Sequence, residues 1–461
     1  MRPSSAPVTH EAPLIAWLEE GCRPSARWRI GTEHEKFGFR RHDLSPIPYE
    51  GEGGVRQILQ TMAAEFGWEE VLEEGRPIAL RQGEAAITLE PGGQLELSGA
   101  PLDTIHQTQH EINTHLDQLG AVCRQMGVAF LGVGVQPKWP REAIPWMPKG
   151  RYALMRRYLP TRGELGLDMM LRTATVQANL DFSSEADMVA KFRLSMALQP
   201  LVTALFANSP LLNGQPTGYL STRGHIWQHT DPDRCGWLPF LFEEGFGFAR
   251  YTAWALQVPM LFVVRQGQYR DCGGAPFQAF LDGRLPALPG EYPTLDDWRT
   301  HLSTLFPDVR LKHYLEMRGA DAGNSATLCA LPALWKGLLY DDQALGEAWE
   351  LVARWSPAER AAFHRQAPTL GLNTPVPGRL ATANPLAHRI LEIARKSLHR
   401  QDRRNAQGCN EAIYLDSLFE SVENRITPAE RLLEAFHGRW QGSVDPLFTE
   451  GEFESFFATC S

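Results

Sequence analysis

Two glutamates one residue apart, set among aromatics in the run Gly31-Thr32-Glu33-His34-Glu35-Lys36-Phe37-Gly38-Phe39, constrain this chain more than any other feature. On a strand, alternate side chains share a face, so Glu33 and Glu35 stand with Phe37 and Phe39 while His34 and Lys36 point the other way. Two carboxylates on one face repel unless positive charge lies between them, and a hard divalent cation is the simplest source of it. A solvated edge strand would tolerate the pair without an ion, but the flanking aromatics argue against a solvated face.

The same problem recurs twice. Residues 87–98, ITLEPGGQLELS, read as two strands joined at Pro91-Gly92-Gly93, with Glu90 and Glu96 each set among apolar neighbours. A five-residue loop pairs these glutamates on one face and a four-residue loop sends them to opposite faces, so a functional role predicts the longer loop. In Lys312-His313-Tyr314-Leu315-Glu316-Met317-Arg318, Glu316 and Arg318 share a face. They offer either a metal ligand beside a guanidinium that clamps a phosphoryl group, or an ordinary ion pair. Arg151, Arg172 and Arg223, the last followed by Trp227, are suited to forked recognition of a small carboxylate.

Five glutamates in three strand-like segments plus separate arginines describe a site for several cations and an anion-rich substrate. ATP with two or more Mg²⁺ fits better than a protease or glycosidase, which needs a nucleophile–base pair or two carboxylates. No G-x-S-x-G, H-E-x-x-H or Walker A motif occurs, and the run 50–54 (EGEGG) reads as a turn before a helix at 55–66. The residues therefore suggest a carboxylate-activating ligase without a P-loop.

With 461 residues, 43% of them hydrophobic, the chain can bury a large core, and its net charge of −9 leaves no electrostatic footprint for nucleic acid or a membrane surface. The apolar runs 128–135 and 251–264 are too short or too interrupted to span a bilayer. The first twenty residues show no apolar signal core and no Arg-rich presequence, so the chain is expected to be cytoplasmic. Its seven cysteines contain no C-x-x-C pair, so neither a zinc site nor a disulfide framework is expected, and Cys460 is the thiol expected to react.

Apolar spacing predicts a helix over 106–126 stopped by Gly127, a buried strand over 128–135, and a helix beginning after Ser184 with a kink near Pro200. Strands are predicted at 29–39, 87–98, 171–182 and 310–318, and from about 334 onward helix follows helix with proline punctuation. The fold class is α+β, with residues 1–340 as catalytic core and 341–461 as a helical region packed on it in one structural unit.

The runs 31–39, 89–102, 166–184 (GLDMMLRTATVQANLDFSS), 205–210, 310–321 and 328–342, with Val444-Asp445-Pro446 near the end, resemble glutamate–cysteine ligases of the plant type, a family shared with some bacteria. The resemblance implies the glutamine-synthetase-like carboxylate–amine ligase fold, a curved antiparallel sheet whose concave face holds the active site. It implies that ATP phosphorylates the γ-carboxylate of L-glutamate and that the α-amine of L-cysteine attacks, giving γ-glutamylcysteine, ADP and phosphate, the first step of glutathione biosynthesis. Glu33, Glu35, Glu90, Glu96 and Glu316 would hold two or three Mg²⁺, with Mn²⁺ as a substitute. Arg318 and Glu316 would be catalytic, and Arg151, Arg223, Arg172 and Trp227 would bind glutamate. The partners would be these small molecules, with no nucleic acid or membrane, in a monomer or homodimer.

Three departures accompany the resemblance. Cys272 and Cys329 lie where plant members carry regulatory cysteines, but Ala287 and Gln109 stand at their partners' positions. Leu261 and Val264 replace frequent tyrosines, one of which helps form the cysteine pocket, and Gly323-Asn324-Ser325-Ala326 replaces a bulkier stretch. Leu261 keeps open a related ligase with another amine acceptor; a non-catalytic glutamate- or nucleotide-binding relative is the remaining alternative.

Overall fold

In the computed structural model, residues 6–378 and 380–453 are described. Nine strands build one antiparallel sheet: β1 (Ile30–Arg40), β2 (Glu69–Glu73), β3 (Arg76–Gln82), β4 (Ala85–Leu89), β5 (Leu95–Ser98), β6 (Val128–Leu131), β7 (Thr175–Leu180), β8 (Val309–Leu311) and β9 (Leu315–Asp321). Their spatial order is β8-β9-β7-β1-β5-β4-β3-β2, with β6 paired to the far end of β1. Sequence neighbours form the hairpins at one side, whereas β7 and β9 arrive from distant parts of the chain to lie beside β1.

The helices used below are α1 (Val55–Phe66), α2 (Ile105–Met126), α3 (Gly150–Tyr158), α4 (Gly166–Arg172), α5 (Glu185–Leu205), α6 (Thr222–Gln228), α7 (Ser325–Leu339), α8 (Asp342–Val352), α9 (Pro357–Leu370) and α10 (Ala383–Gln401). Local chemistry sets their ends. Thr104 and Gln107 form a capping box at the start of α2, Gly127 closes it at φ 64°, and Ser184 accepts the Asp187 N–H to open α5. α5 continues through Pro200 to Leu205.

One face of the sheet is apolar. Ile30, Val176, Ala178, Leu180, Leu315 and Met317 are buried in one cluster with Leu198 of α5, Leu331 and Trp335 of α7 and Leu391 of α10. His34 and Lys36 point away from the glutamates, as alternation predicts, and are fully buried. The C-terminal helices thus contribute to the same core as the strands. Among the described residues no helix is long and apolar enough to cross a membrane.

Two predicted strands are shorter than expected. The strand at 128–135 ends at Leu131, because Gly132 and Gly134 leave the sheet to pass against other backbone and side chains: a Cβ would lie 2.4 Å from Gly323 O at Gly132 and 2.5 Å from Asp321 Cγ at Gly134. The strand at 171–182 begins only at Thr175, since 166–172 close α4 first. The cysteines also depart in part from expectation. Cys22, Cys123, Cys235, Cys272 and Cys329 are free thiols, whereas Cys409 is disulfide-bonded; Cys460 lies outside the described residues.

The β4–β5 turn is fastened to the α4–β7 connection. Gln94 Nε2 donates to Thr173 O (2.8 Å) and Met170 O (3.3 Å), while Gly92 sits so close that a Cβ would lie 2.3 Å from Leu171 O. Backbone on both sides leaves little room to yield. Gly92→Ala is therefore expected to destabilise the protein by about 1–3 kcal/mol in urea unfolding, the cost of overpacking a filled site.

Candidate active site

Strand register places the acidic residues on the polar face of the sheet. Glu35 is directly opposite Glu96, Glu33 lies between Ser98 on one side and Gln177 on the other, and Glu316 is opposite Asn179 on the next strand over. The β4–β5 connection is the five residues 90–94, as the functional reading predicts. The partner of Glu96 is nevertheless Thr88, so Glu90 approaches on the diagonal rather than from directly across.

Glu33, Glu35, Glu90 and Glu96 line an open cleft of about 1090 Å³ together with Lys149, Arg151, Gln177, Arg223, Trp227, Arg310 and Arg318. Hydrogen bonds aim the carboxylates. Asn179 Nδ2 donates to Glu33 (2.8 Å), the Thr175 N–H to Glu35 (3.0 Å), and Ser98 Oγ and Thr88 Oγ1 to Glu96 (2.6 and 3.2 Å). None of the four makes an ion pair among the described residues. Burial, then the charges of Glu316 and Glu96, push Glu33 up to about 7; burial with Glu90 and Glu96 raises Glu35 well above the carboxylate range, and burial with Glu90 raises Glu96.

This donor set fits a divalent cation: hard oxygens, mutually repelling and without protein counter-charges, at the wall of a cleft open to water and phosphate. Among the described residues no three His, Cys, Asp or Glu side chains stand close enough to hold a metal between them alone. That suits Mg²⁺, which takes one or two carboxylates and completes its shell with substrate oxygens and water.

Glu316 differs from the expectation that it binds metal. It is fully buried, does not line the cleft, and is ion-paired with Arg310 (2.6 Å), Lys312 (2.8 Å) and Arg318. Burial opposes its ionisation, but Arg310, Lys312 and Arg318 win and hold it well below the usual carboxylate range. A carboxylate already shared among three cations is a poor cation ligand and a good anchor for Arg318, which also donates to Gln177 Oε1 (2.6 Å). Arg310 was not singled out in the sequence, although its pairing across the β8–β9 hairpin from Glu316 follows from alternation once that hairpin is known.

Arg172 is also corrected. It does not line the cleft, because its guanidinium is committed to Asp168 and Asn213. Arg151, Arg223 and Trp227 are where the sequence puts them, and the Nε of Arg151, Nε of Arg223 and Nε1 of Trp227 are buried donors without partners. Such donors suit an anionic ligand. Trp227 stacks its ring near both Arg223 and Arg318, each 5.8 Å from the ring centre. Ser221 fixes the start of α6 by accepting the Gly224 N–H and donating to Asp321 Oδ1 (2.8 Å) at the end of β9. Leu261 is buried in the core and does not line the cleft, so the feature that leaves the acceptor open in the sequence has no expression there.

A raised carboxyl pKa means that the folded state favours the protonated group. The stability Glu33 confers is full below about 4.5 and lost as pH rises through about 7. In cation-free protein, Glu33→Gln should therefore be neutral at pH 4.5 and stabilising at pH 8, by on the order of 2 kcal/mol after solvent screening at the cleft. Calorimetric melting of both proteins at the two pH values checks this; equal differences at both would remove the strain from Glu33.

The chain matches the family described as glutamate-cysteine ligase family 2 over residues 29–450. It is 53% identical over 447 residues to the chloroplastic glutamate–cysteine ligase of Brassica juncea, covering 97% of this chain and 85% of that one, and 53% identical to the Arabidopsis thaliana enzyme, covering 97% and 83%. The crystal structure of the Francisella tularensis glutamate–cysteine ligase in complex with AMP aligns at a TM-score of 0.54 with 13% identity, covering 94% of this chain and 90% of that one, and supports the fold. The plant relatives are named as chloroplastic, which overturns the expectation of a cytoplasmic protein. A compartment is read from an address segment by a receptor, and the composition of the first twenty residues was no substitute for one. With the match running from residue 29 to 450 and more than half of the residues shared with plant relatives, the chain belongs to glutamate–cysteine ligase family 2.

Proposed function

We propose that this chain joins the γ-carboxylate of L-glutamate to the α-amine of L-cysteine at the expense of ATP, giving γ-glutamylcysteine, ADP and phosphate, the first step of glutathione biosynthesis. Family membership supports the reaction. The observation that carries its assignment to this cleft is the pairing of unneutralised glutamates on one wall with unpartnered guanidinium and indole donors beside them.

The chemistry requires two anions, a carboxylate and the γ-phosphate of ATP, to meet against their repulsion. Glu33, Glu35, Glu90 and Glu96 are the residues that would hold Mg²⁺, with Mn²⁺ as a substitute. Bound there, the cation supplies positive charge to the phosphate oxygens. Arg318, aimed by Glu316 and Gln177, adds a fixed guanidinium for the charge on the transferring phosphoryl group. Arg151 and Arg223 grip the carboxylates of glutamate, and Trp227 walls the pocket. Cysteine then attacks the γ-glutamyl phosphate, and the enclosed cleft limits the competing attack by water.

The direct test is ADP release from ATP, Mg²⁺ and L-glutamate, with and without L-cysteine, with the product identified by mass. Cysteine-dependent release with γ-glutamylcysteine formed is expected; turnover that requires glutamate but prefers another amine would change the acceptor, and no turnover would overturn the assignment. Glu96→Gln should keep the fold, since Thr88 and Ser98 can still bond the amide, and lower kcat on the order of 10²-fold. Near-normal turnover in that variant would remove Glu96 from the site.

A further inference from the structure

The C-terminal helix α9 touches no part of the cleft wall, yet it holds both elements that build its basic side. His364 Nε2 is 2.8 Å from Asp308 Oδ2, and the Asp308 carbonyl accepts the backbone N–H of Arg318 (3.0 Å). On its other side the His364 carbonyl accepts Gln228 Nε2 (2.6 Å), from the last residue of the helix that carries Arg223 and Trp227. One turn further along α9, Pro368 O accepts the N–H groups of both Leu220 and Ser221 (2.8 and 2.9 Å), just before that helix starts. A Cβ on Gly224 would lie 3.1 Å from the Pro368 ring, so α6 rests closely on α9 at that point.

Near His364 the contact is different. A cavity of about 460 Å³ lies between α6, α9 and β9, lined by Trp227, Arg318, Asp308 and His364 among others. Side-chain packing does not fill this space, so hydrogen bonds set the separation of Arg318 from α6 on that side. Arg223 closes the circuit by donating to Arg318 O (2.7 Å). α9 is itself anchored: Arg360, one turn before His364, donates to the Val352, Ala353 and Trp355 carbonyls at the end of α8.

We infer that His364 is a positioning residue for the ligation reaction, tying Arg318 and the Arg223–Trp227 helix to one rigid element of the C-terminal region through Asp308 and Gln228. This rests on the ligase function proposed above. His364 reaches neither substrate, so its loss acts on the placement of Arg318, and a misplacement of about 1 Å can cost on the order of 10²-fold in rate.

The test is steady-state kinetics of the full chain with ATP, glutamate and cysteine, comparing His364→Ala, His364→Gln, Asp308→Ala and the His364→Ala/Asp308→Ala double variant. Glutamine sets an amide N–H near the position of Nε2. His364→Ala should lower kcat about 10-fold or more with the KM for ATP within about twofold, and His364→Gln should recover most of the loss. The double variant should lose no more than the worse single one, since both remove the same link. Wild-type kcat in His364→Ala, or a loss that glutamine does not restore and that follows a shared fall in melting temperature, would overturn the inference. If His364→Ala does not fold, Asp308→Ala alone decides it by the same kcat-against-KM split. Absence of product from the unaltered protein would instead overturn the ligase assignment, and the inference with it.

Discussion

Glu35 and Glu96 face each other across neighbouring strands, with Glu33 and Glu90 at their sides, and no protein cation bridges them. Like charges opposed at cross-strand spacing of about 5 Å repel by roughly 3 kcal/mol at an effective dielectric near 20. Burial adds to that cost. A sheet accepts such a contact only if the remainder of the fold compensates, and here the compensation comes from an all-antiparallel sheet whose other face is buried against α5, α7 and α10. The apolar face secures the register; the register forces the carboxylates together.

Cationic residues are distributed so that they do not relieve this repulsion. Arg310, Lys312 and Arg318 converge on Glu316, one strand beyond β7, rather than on the four cleft glutamates. Had Arg318 paired with Glu35, its charge would have been spent within the protein. Paired instead with a fully buried carboxylate outside the cleft wall, it is held in place while its guanidinium still faces the cleft. Two charge systems therefore coexist on one sheet face: an unsatisfied acidic one suited to metal and an internally anchored basic one suited to phosphate and carboxylate.

Scaffold and site are not separable along the chain. The polar face draws side chains from β1, β5, β7 and β9, and the helix bearing Arg223 and Trp227 is fixed at its start by Asp321 of β9 and Pro368 of α9. The C-terminal helices supply part of the main core and, through α9, part of the geometry of the basic wall.

By itself the sequence determined the alternation that puts Glu33 and Glu35 on one face, the caps at Thr104 and Ser184, the stop at Gly127, and the set of five glutamates with Arg151, Arg223, Arg318 and Trp227; its runs of motif also carried the family. These are local properties, governed by strand and helix periodicity and by the few residues that satisfy helix ends. Tertiary structure alone decided that Glu316 is an anchor and not a cleft residue, that Arg172 is spent on Asp168 and Asn213, and that His364 and Asp308 stand behind Arg318. Each depends on which distant strand or helix lies alongside, and alternation fixes the face a side chain takes but not the charge it meets there. The fate of a carboxylate is set by its nearest counter-charge, and for Glu316 the counter-charges come partly from β8, whose register only the folded sheet defines.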